Sequence, residues 1–182
     1  MLTAGYAGDR VAGTVVAVRD GDLVAVIDPG MVASRSRILD PLHRLGLSPD
    51  EVTDVVFSHH HPDHTVNAAL FPARVHDFQA TYQDDEWIER EFAGGVERLS
   101  DSVRLLLTPG HTPQDISTLV EVADGLVICT HLWWTQDGPA EDPFAPDRET
   151  LRASRQAVLD LQPALIIPGH GPAFTPDRRT PL

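Results

Sequence analysis

Apolar residues in this chain fall into short β-branched runs more often than into helical stripes. Residues 13–19 (Gly-Thr-Val-Val-Ala-Val-Arg) and 22–27 (Asp-Leu-Val-Ala-Val-Ile) flank Asp20-Gly21, which predicts a β-hairpin. Asp28-Pro29-Gly30 then breaks the second strand. Residues 34–45 predict a helix with Ile38, Leu42 and Leu45 on one face, Pro41 either kinking it or marking a later start. Ser48-Pro49-Asp50-Glu51 has capping-box spacing and predicts one short turn. Apolar strands are expected at 52–58 and 103–108, and a second hairpin at 117–123 and 126–130 around Asp124-Gly125. Residues 147–161 form the clearest helix, capped by Asp147, with Leu151, Ser154, Val158 and Leu161 on one face. The last strand, 164–167, runs into Pro168-Gly169-His170-Gly171. Residues 82–92 show no clean period and read as a rim segment over a pocket. Residues 136–147 read as a surface loop, and 173–182 as an irregular tail. The order of elements predicts a layered α/β arrangement.

Composition narrows the function. The 182 residues are 42% hydrophobic and 23% charged, which suits one soluble domain spanning 1–182. Fourteen basic against twenty-seven acidic side chains give a net charge of −13. That argues against a broad phosphate-binding face, so a small molecule is expected as substrate and nucleic acid is not expected as a partner. Every basic residue is Arg, which excludes Schiff-base and P-loop lysine chemistry. The single Cys129 excludes an internal disulfide and a multi-cysteine zinc site; it reads as a small buried apolar residue. No leader peptide or membrane span is expected, and the anticipated compartment is cytoplasmic. Association into a homo-oligomer stays open.

Four of the apolar strands end in histidine, at His59, His111, His131 and His170. The densest run is Ser58-His59-His60-His61-Pro62-Asp63-His64. Alternate residues leaving a strand share a side, so His59, His61 and Asp63 can converge, and a turn at Pro62-Asp63 can bring His64 round. Imidazole and carboxylate together suit Zn²⁺ and, less selectively, Fe²⁺ or Mn²⁺. His60, between the converging positions, is expected to be exposed.

These residues carry a resemblance. His59-x-His61-x-Asp63-His64 resembles the H-x-H-x-D-H signature of the metallo-β-lactamase superfamily. Asp28-Pro29-Gly30, Thr108-Pro109-Gly110-His111-Thr112-Pro113 and Pro168-Gly169-His170-Gly171 are similar to its D-x-G, T-P-G-H-T-P and P-G-H-G segments, in the same order. Asn67 and Leu70-Phe71-Pro72 are similar to the small single-domain branch named for metallo-β-lactamase domain-containing protein 1. The resemblance implies a four-layer αββα sandwich with a site at one edge. It implies two metal positions, His59, His61 and His111 at the first and Asp63, His64 and His170 at the second, holding one or two ions.

In that family an Asp at a strand end bridges the two metals; here Thr130-His131 stands at that place. A neutral imidazole adds no negative charge and offers one lone pair, so the second ion is expected to be held more weakly. His131 would cap one ion or lie just behind the ligands. The expected activity is hydrolysis of a small ester, thioester, lactone or amide by a metal-bound hydroxide, with Asp63 and His131 as candidate catalytic residues. Trp133 and Trp134 are candidates for an apolar pocket wall, and Asp115 reads more readily as a loop cap than as a partner of a ligand histidine. The rival readings are a mononuclear-iron oxygenase acting on a thiol or persulfide, a phosphodiesterase or nuclease, and a metal-holding protein with little turnover.

Overall fold

The computed structural model describes residues 1–92 and 94–182. Among these, the first sheet runs in chain order through β1 (Val16–Asp20), β2 (Leu23–Ile27), β3 (Asp54–Val56), β4 (Arg74–His76), β5 (Ala80–Gln83) and β6 (Glu86–Glu89). The second contains β7 (Val96–Arg98), β8 (Val103–Leu107), β9 (Ile116–Val122), β10 (Gly125–Thr130) and β11 (Leu165–Pro168), ordered β11-β10-β9-β8-β7. Three helices accompany them: α1 (Ser36–Arg44), the single-turn α2 (Pro62–Thr65) and α3 (Arg148–Asp160). β2, β3 and β4 are mutually parallel, as are β10 and β11; the other pairings are antiparallel.

The period of two in each central strand produces the layers. In β2, Val24 and Val26 pack with Ile38 and Leu42 of α1. Its alternate residues turn inward, Leu23 and Ala25 onto Val103 and Val120, and Ile27 among Leu105 and Ile116. In β10, Ile128 packs with Leu151 and Val158 of α3, while Cys129 joins the inter-sheet core. Helix, sheet, sheet and helix therefore stack as an αββα sandwich.

Both hairpins form one residue away from the sequence reading. Asp20 pairs with Leu23, so the first loop is Gly21-Asp22, and Gly21 adopts φ +58, which side-chain-bearing residues rarely take. Val122 pairs with Gly125, which makes Ala123-Asp124 the second loop. α1 begins at Ser36 with Pro41 inside it, and Leu45 lies past its end, 63% exposed. Leu161 likewise follows α3 and is exposed. The 82–92 segment is corrected from a rim to a sheet edge: β5 and β6 form a hairpin with Tyr82 opposite Trp87. β6 is exposed along its whole length, so no buried face imposes a period. Residues 173–182 carry no regular element but are pinned. Phe174 exchanges backbone hydrogen bonds with Ile166, and the Pro181 carbonyl accepts one from Trp133 Nε1 at 2.8 Å.

Asp54 is buried between β2 and β4 and accepts hydrogen bonds from His76 Nε2 and Thr53 Oγ1, both at 2.6 Å, and from Arg74 at 3.0 Å. Burial works to raise its pKa, but these bonds outweigh it and hold the carboxyl below its ordinary value. Among the described residues, no helix is long and apolar enough to cross a membrane.

Candidate metal centre

The histidines meet where strands from both sheets end. Beyond β3, the extended chain carries His59 and His61 to the start of α2, where Pro62 occupies the first turn and the helix swings His64 inward. The Asp28-Pro29-Gly30 turn after β2 lies directly under this loop. A Cβ on Gly30 would stand 1.7 Å from the Asp63 carbonyl oxygen, so only glycine fits. That carbonyl accepts hydrogen bonds from Gly13 N and Met31 N, which fixes the loop from below. His111 follows β8, His131 follows β10 and His170 follows β11.

Four of the rings have their Nδ1 tied from behind. His64 Nδ1 lies 2.9 Å from Asp28 Oδ2, His111 Nδ1 2.7 Å from Asp142 Oδ2 and His170 Nδ1 2.9 Å from the Ala12 carbonyl. These partners only accept, so each Nδ1 carries the proton and donates it. Ser58 donates its hydroxyl to Asp28 Oδ2 at 2.7 Å, and its Oγ then accepts from His59 Nδ1 at 3.0 Å. His59, His111 and His170 are each left with an Nε2 lone pair, whereas His64 Nε2 faces Asp63 Oδ2 at 3.3 Å.

Those lone pairs lack ordinary partners. His59 Nε2 and His131 Nδ1 are buried and make no hydrogen bond, a costly arrangement unless something electropositive joins them. His61 Nδ1 lies 3.1 Å from His111 Nε2. Two nitrogens bound tetrahedrally to one zinc ion would be about 3.3 Å apart. The donor set fits a divalent cation.

Electrostatics agree with that fit. Burial, followed by the neighbouring histidines, pushes the pKa of His59 and of His131 well below the ordinary imidazole value. Burial also lowers His61 and, most of all among its influences, His170. His64 goes the other way: burial lowers it, but the Asp28 and Asp63 carboxylates raise it to about 9. Asp63 falls to about 2 because its contacts with His64 overcome burial. The cluster is thus mostly neutral imidazole with one place that attracts positive charge strongly. Three combinations have ligand atoms within 4.8 Å of one another: His59, His61 and His111; Asp63, His64 and His170; and His59, His64 and His131.

Above the cluster lies a pocket of about 350 Å³ whose floor includes His61, Asp63 and His111 and whose walls include Val11, Trp134 and Phe144. Trp134 stacks on Phe144 with ring centroids 5.9 Å apart and donates its Nε1 to Asp142 Oδ2 at 2.8 Å. Trp133 is corrected: it is fully buried beneath α3, with the Arg155 guanidinium 5.6 Å over its ring, and does not line this pocket. The reason is local, because Leu132 and Trp133 extend the α3-facing core while the chain turns Trp134 outward. Asp115 caps its loop, accepting from Thr112 N and from Thr112 Oγ1 at 2.6 Å. His60 is exposed, its side chain 45% accessible, and contacts Asp77 Oδ2 at 2.9 Å.

Sequence reasoning passed over three contributors. Asp28 was visible as part of a turn but not as the acceptor behind His64. Asp142 and Phe144 lie in the 136–147 loop, where no spacing signals that Asp142 supports His111.

A family model described as the metallo-β-lactamase superfamily matches residues 8–86. Metallo-β-lactamase domain-containing protein 1 of Xenopus laevis is 31% identical, over 96% of this chain and 79% of that protein. The chain belongs to the metallo-β-lactamase superfamily. An N-acyl homoserine lactonase from a Bacillus species is 27% identical over 76% of this chain and 64% of its own length. Two crystal structures share the superfamily fold. A candidate metallo-β-lactamase from Thermotoga maritima aligns with TM-score 0.67 at 21% identity, over 96% of this chain and 97% of the other. An N-acyl homoserine lactone hydrolase, solved with N-hexanoyl-L-homoserine at its catalytic metal centre, aligns with TM-score 0.65 at 22% identity, over 85% and 79%. In this chain Asp142 supports His111 and Asp28 supports His64 from behind.

Proposed function

We propose that this chain is a zinc-dependent hydrolase of a small, uncharged ester, thioester, lactone or amide. The observation that carries the reading is the convergence of imidazole lone pairs and the Asp63 carboxylate on the floor of an apolar-walled pocket. When bound, the ion supplies Lewis-acid polarisation of a substrate oxygen and makes water more acidic. His59, His61, His64, Asp63, His111, His131 and His170 are the residues available to hold it.

The protein's own groups divide the remaining work. Asp63, facing the pocket, accepts a hydrogen bond from the attacking water and orients it toward the carbonyl carbon. Asp28 and Asp142 hold the rings of His64 and His111 in place, so the site does not reorganise as charge develops. Trp134, Phe144 and Val11 exclude bulk water and bury an acyl or ring portion of the substrate. His131, buried at the base of the same pocket, acts as a ligand.

A net charge of −13 disfavours polyanions, and the related Bacillus lactonase supports lactones among the uncharged candidates. The test is a panel of chromogenic esters, thioesters, lactones and phosphodiesters, run on metal-stripped and zinc-reconstituted protein. Zinc-restored turnover of the uncharged acyl compounds is expected. Preference for phosphodiesters, or no turnover of any compound after zinc loading, would overturn the proposal.

A further inference from the structure

His131 does more than occupy the place of a carboxylate. Its Nε2 lies 3.3 Å from His170 Nε2, which is already a lone-pair nitrogen because His170 donates Nδ1–H to the Ala12 carbonyl. Two lone pairs at that distance repel, so in the metal-free chain the His131 proton sits on Nε2 and is donated to His170. Its Nδ1 is then the free nitrogen and, like His59 Nε2, is buried with no partner, while the buried His64 Nε2 beside them meets only the Asp63 carboxylate, at 3.3 Å. The same three residues are a set whose ligand atoms lie within 4.8 Å of one another, and all three are buried. Their rings are in contact pairwise, with centroids 4.5 Å apart for His59 and His64, 4.5 Å for His59 and His131, and 4.6 Å for His64 and His131.

We propose that His59, His64 and His131 form a third, central cation position, and that this chain binds one divalent ion tightly there instead of two side by side. The position rests on the reading of the cluster as a metal centre, but it is neither of the two sets that the superfamily resemblance implies. It takes one ligand from each of them. His59 belongs also to the set with His61 and His111, and His64 to the set with Asp63 and His170. Each Nε2 lone pair serves one ion at a time. A central ion therefore leaves His61 with His111, and Asp63 with His170, as incomplete pairs.

Charge favours this outcome. Asp63 is the one carboxylate in the three sets, and His131 adds none where a bridging carboxylate would stand. Two dications at short separation would be poorly compensated, whereas one is balanced by Asp63 beside it and by Asp28 behind His64. The central ion is also the most enclosed, because His59, His64 and His131 are all buried while His61 is partly open to the pocket. It should exchange slowly with a chelator.

The test is ion counting, independent of activity. Metal-stripped protein is titrated with Co²⁺ and with Zn²⁺, bound metal is counted by mass spectrometry, and X-ray absorption measures imidazole ligands and any metal–metal vector. The expected result is one tight equivalent with no metal–metal vector. His61→Ala should keep that equivalent within about threefold in affinity, while His131→Asn should weaken it about 100-fold with the far-ultraviolet dichroism unchanged. His131→Asp, which restores an anion at this place, should raise the count to two. Two tight equivalents in the unaltered chain, or greater loss from His61→Ala than from His131→Asn, would overturn the central position and leave the hydrolase reading standing. Binding of no ion would overturn both. The counts on the unaltered chain and on His61→Ala decide the matter even if the His131 variants fail to fold.

Discussion

Gly169 packs against the face of His131 so closely that a Cβ built on it would meet His131 Cδ2 at 2.2 Å and Nε2 at 2.6 Å. The glycine of the Pro-Gly-His-Gly segment is thus the seat of an imidazole that arrives from another strand. Gly169→Ala should displace the ring at a cost of about 1–3 kcal/mol. The rise in melting temperature on adding zinc should shrink with it. Calorimetry with and without zinc measures both, and an undiminished zinc-induced rise would show that His131 does not help hold the ion.

Asp142 joins His111 Nδ1, Trp134 Nε1 and Phe144 N through one carboxylate. Asp142→Asn keeps the shape but removes the charge and one acceptor. Metal affinity should fall about 10–100-fold, as read by competition with a chromogenic chelator. Asp28→Asn should do at least as much, because Asp28 supports His64 directly and His59 through Ser58.

Stripping the ion should lower stability and abolish turnover together, and zinc should restore both. With free zinc at about 100 times its dissociation constant, mass action contributes about 2.7 kcal/mol to the folded state. Urea titrations of the stripped and reconstituted forms give the difference; equal midpoints would mean that the folded chain gains nothing from zinc.

The two adjacent tryptophans should separate cleanly. Trp133→Ala opens the core beneath α3 and should cost about 3–5 kcal/mol of stability. Trp134→Ala removes part of the pocket wall, so it should raise KM for apolar acyl substrates with a smaller loss of stability. Denaturation curves and steady-state kinetics on both variants check the contrast.

Asp54 gives the fold an acid limit of its own. Its carboxyl is held below the ordinary value in the folded chain, so the unfolded chain takes up a proton first as pH falls. The stability it contributes is present above the unfolded carboxylate pKa and is lost as pH falls through the folded one. A pH series of urea titrations should show this loss, and Asp54→Asn should flatten that part of the profile. An unchanged slope in the variant would assign the acid loss to other groups.

The sandwich and the convergence of its histidines were legible because both follow from local rules. Strand runs ending at Pro-Gly-His or Ser-His-His report where a sheet edge lies, but β2 and β10 are apolar nearly throughout, so which of their residues face a helix is not read from them. The β4 to β6 meander was not legible. Arg74–His76 is three residues long and β6 has no buried side, so neither carries a period. Trp133 and Trp134 looked equivalent because adjacency in sequence says nothing about which ring the chain turns under α3. Asp142 was hidden for a different reason: its partner His111 is 31 residues away, and only the closed loop brings them together.

Ligands drawn from the ends of β3, β8, β10 and β11 belong to both halves of the sandwich. The 59–64 segment carries four candidate ligands by itself, but every three-residue set among the described residues also needs His111, His131 or His170 from the other sheet. A complete set therefore exists only when the two sheets have closed on each other, so an ion captured there would report completed assembly.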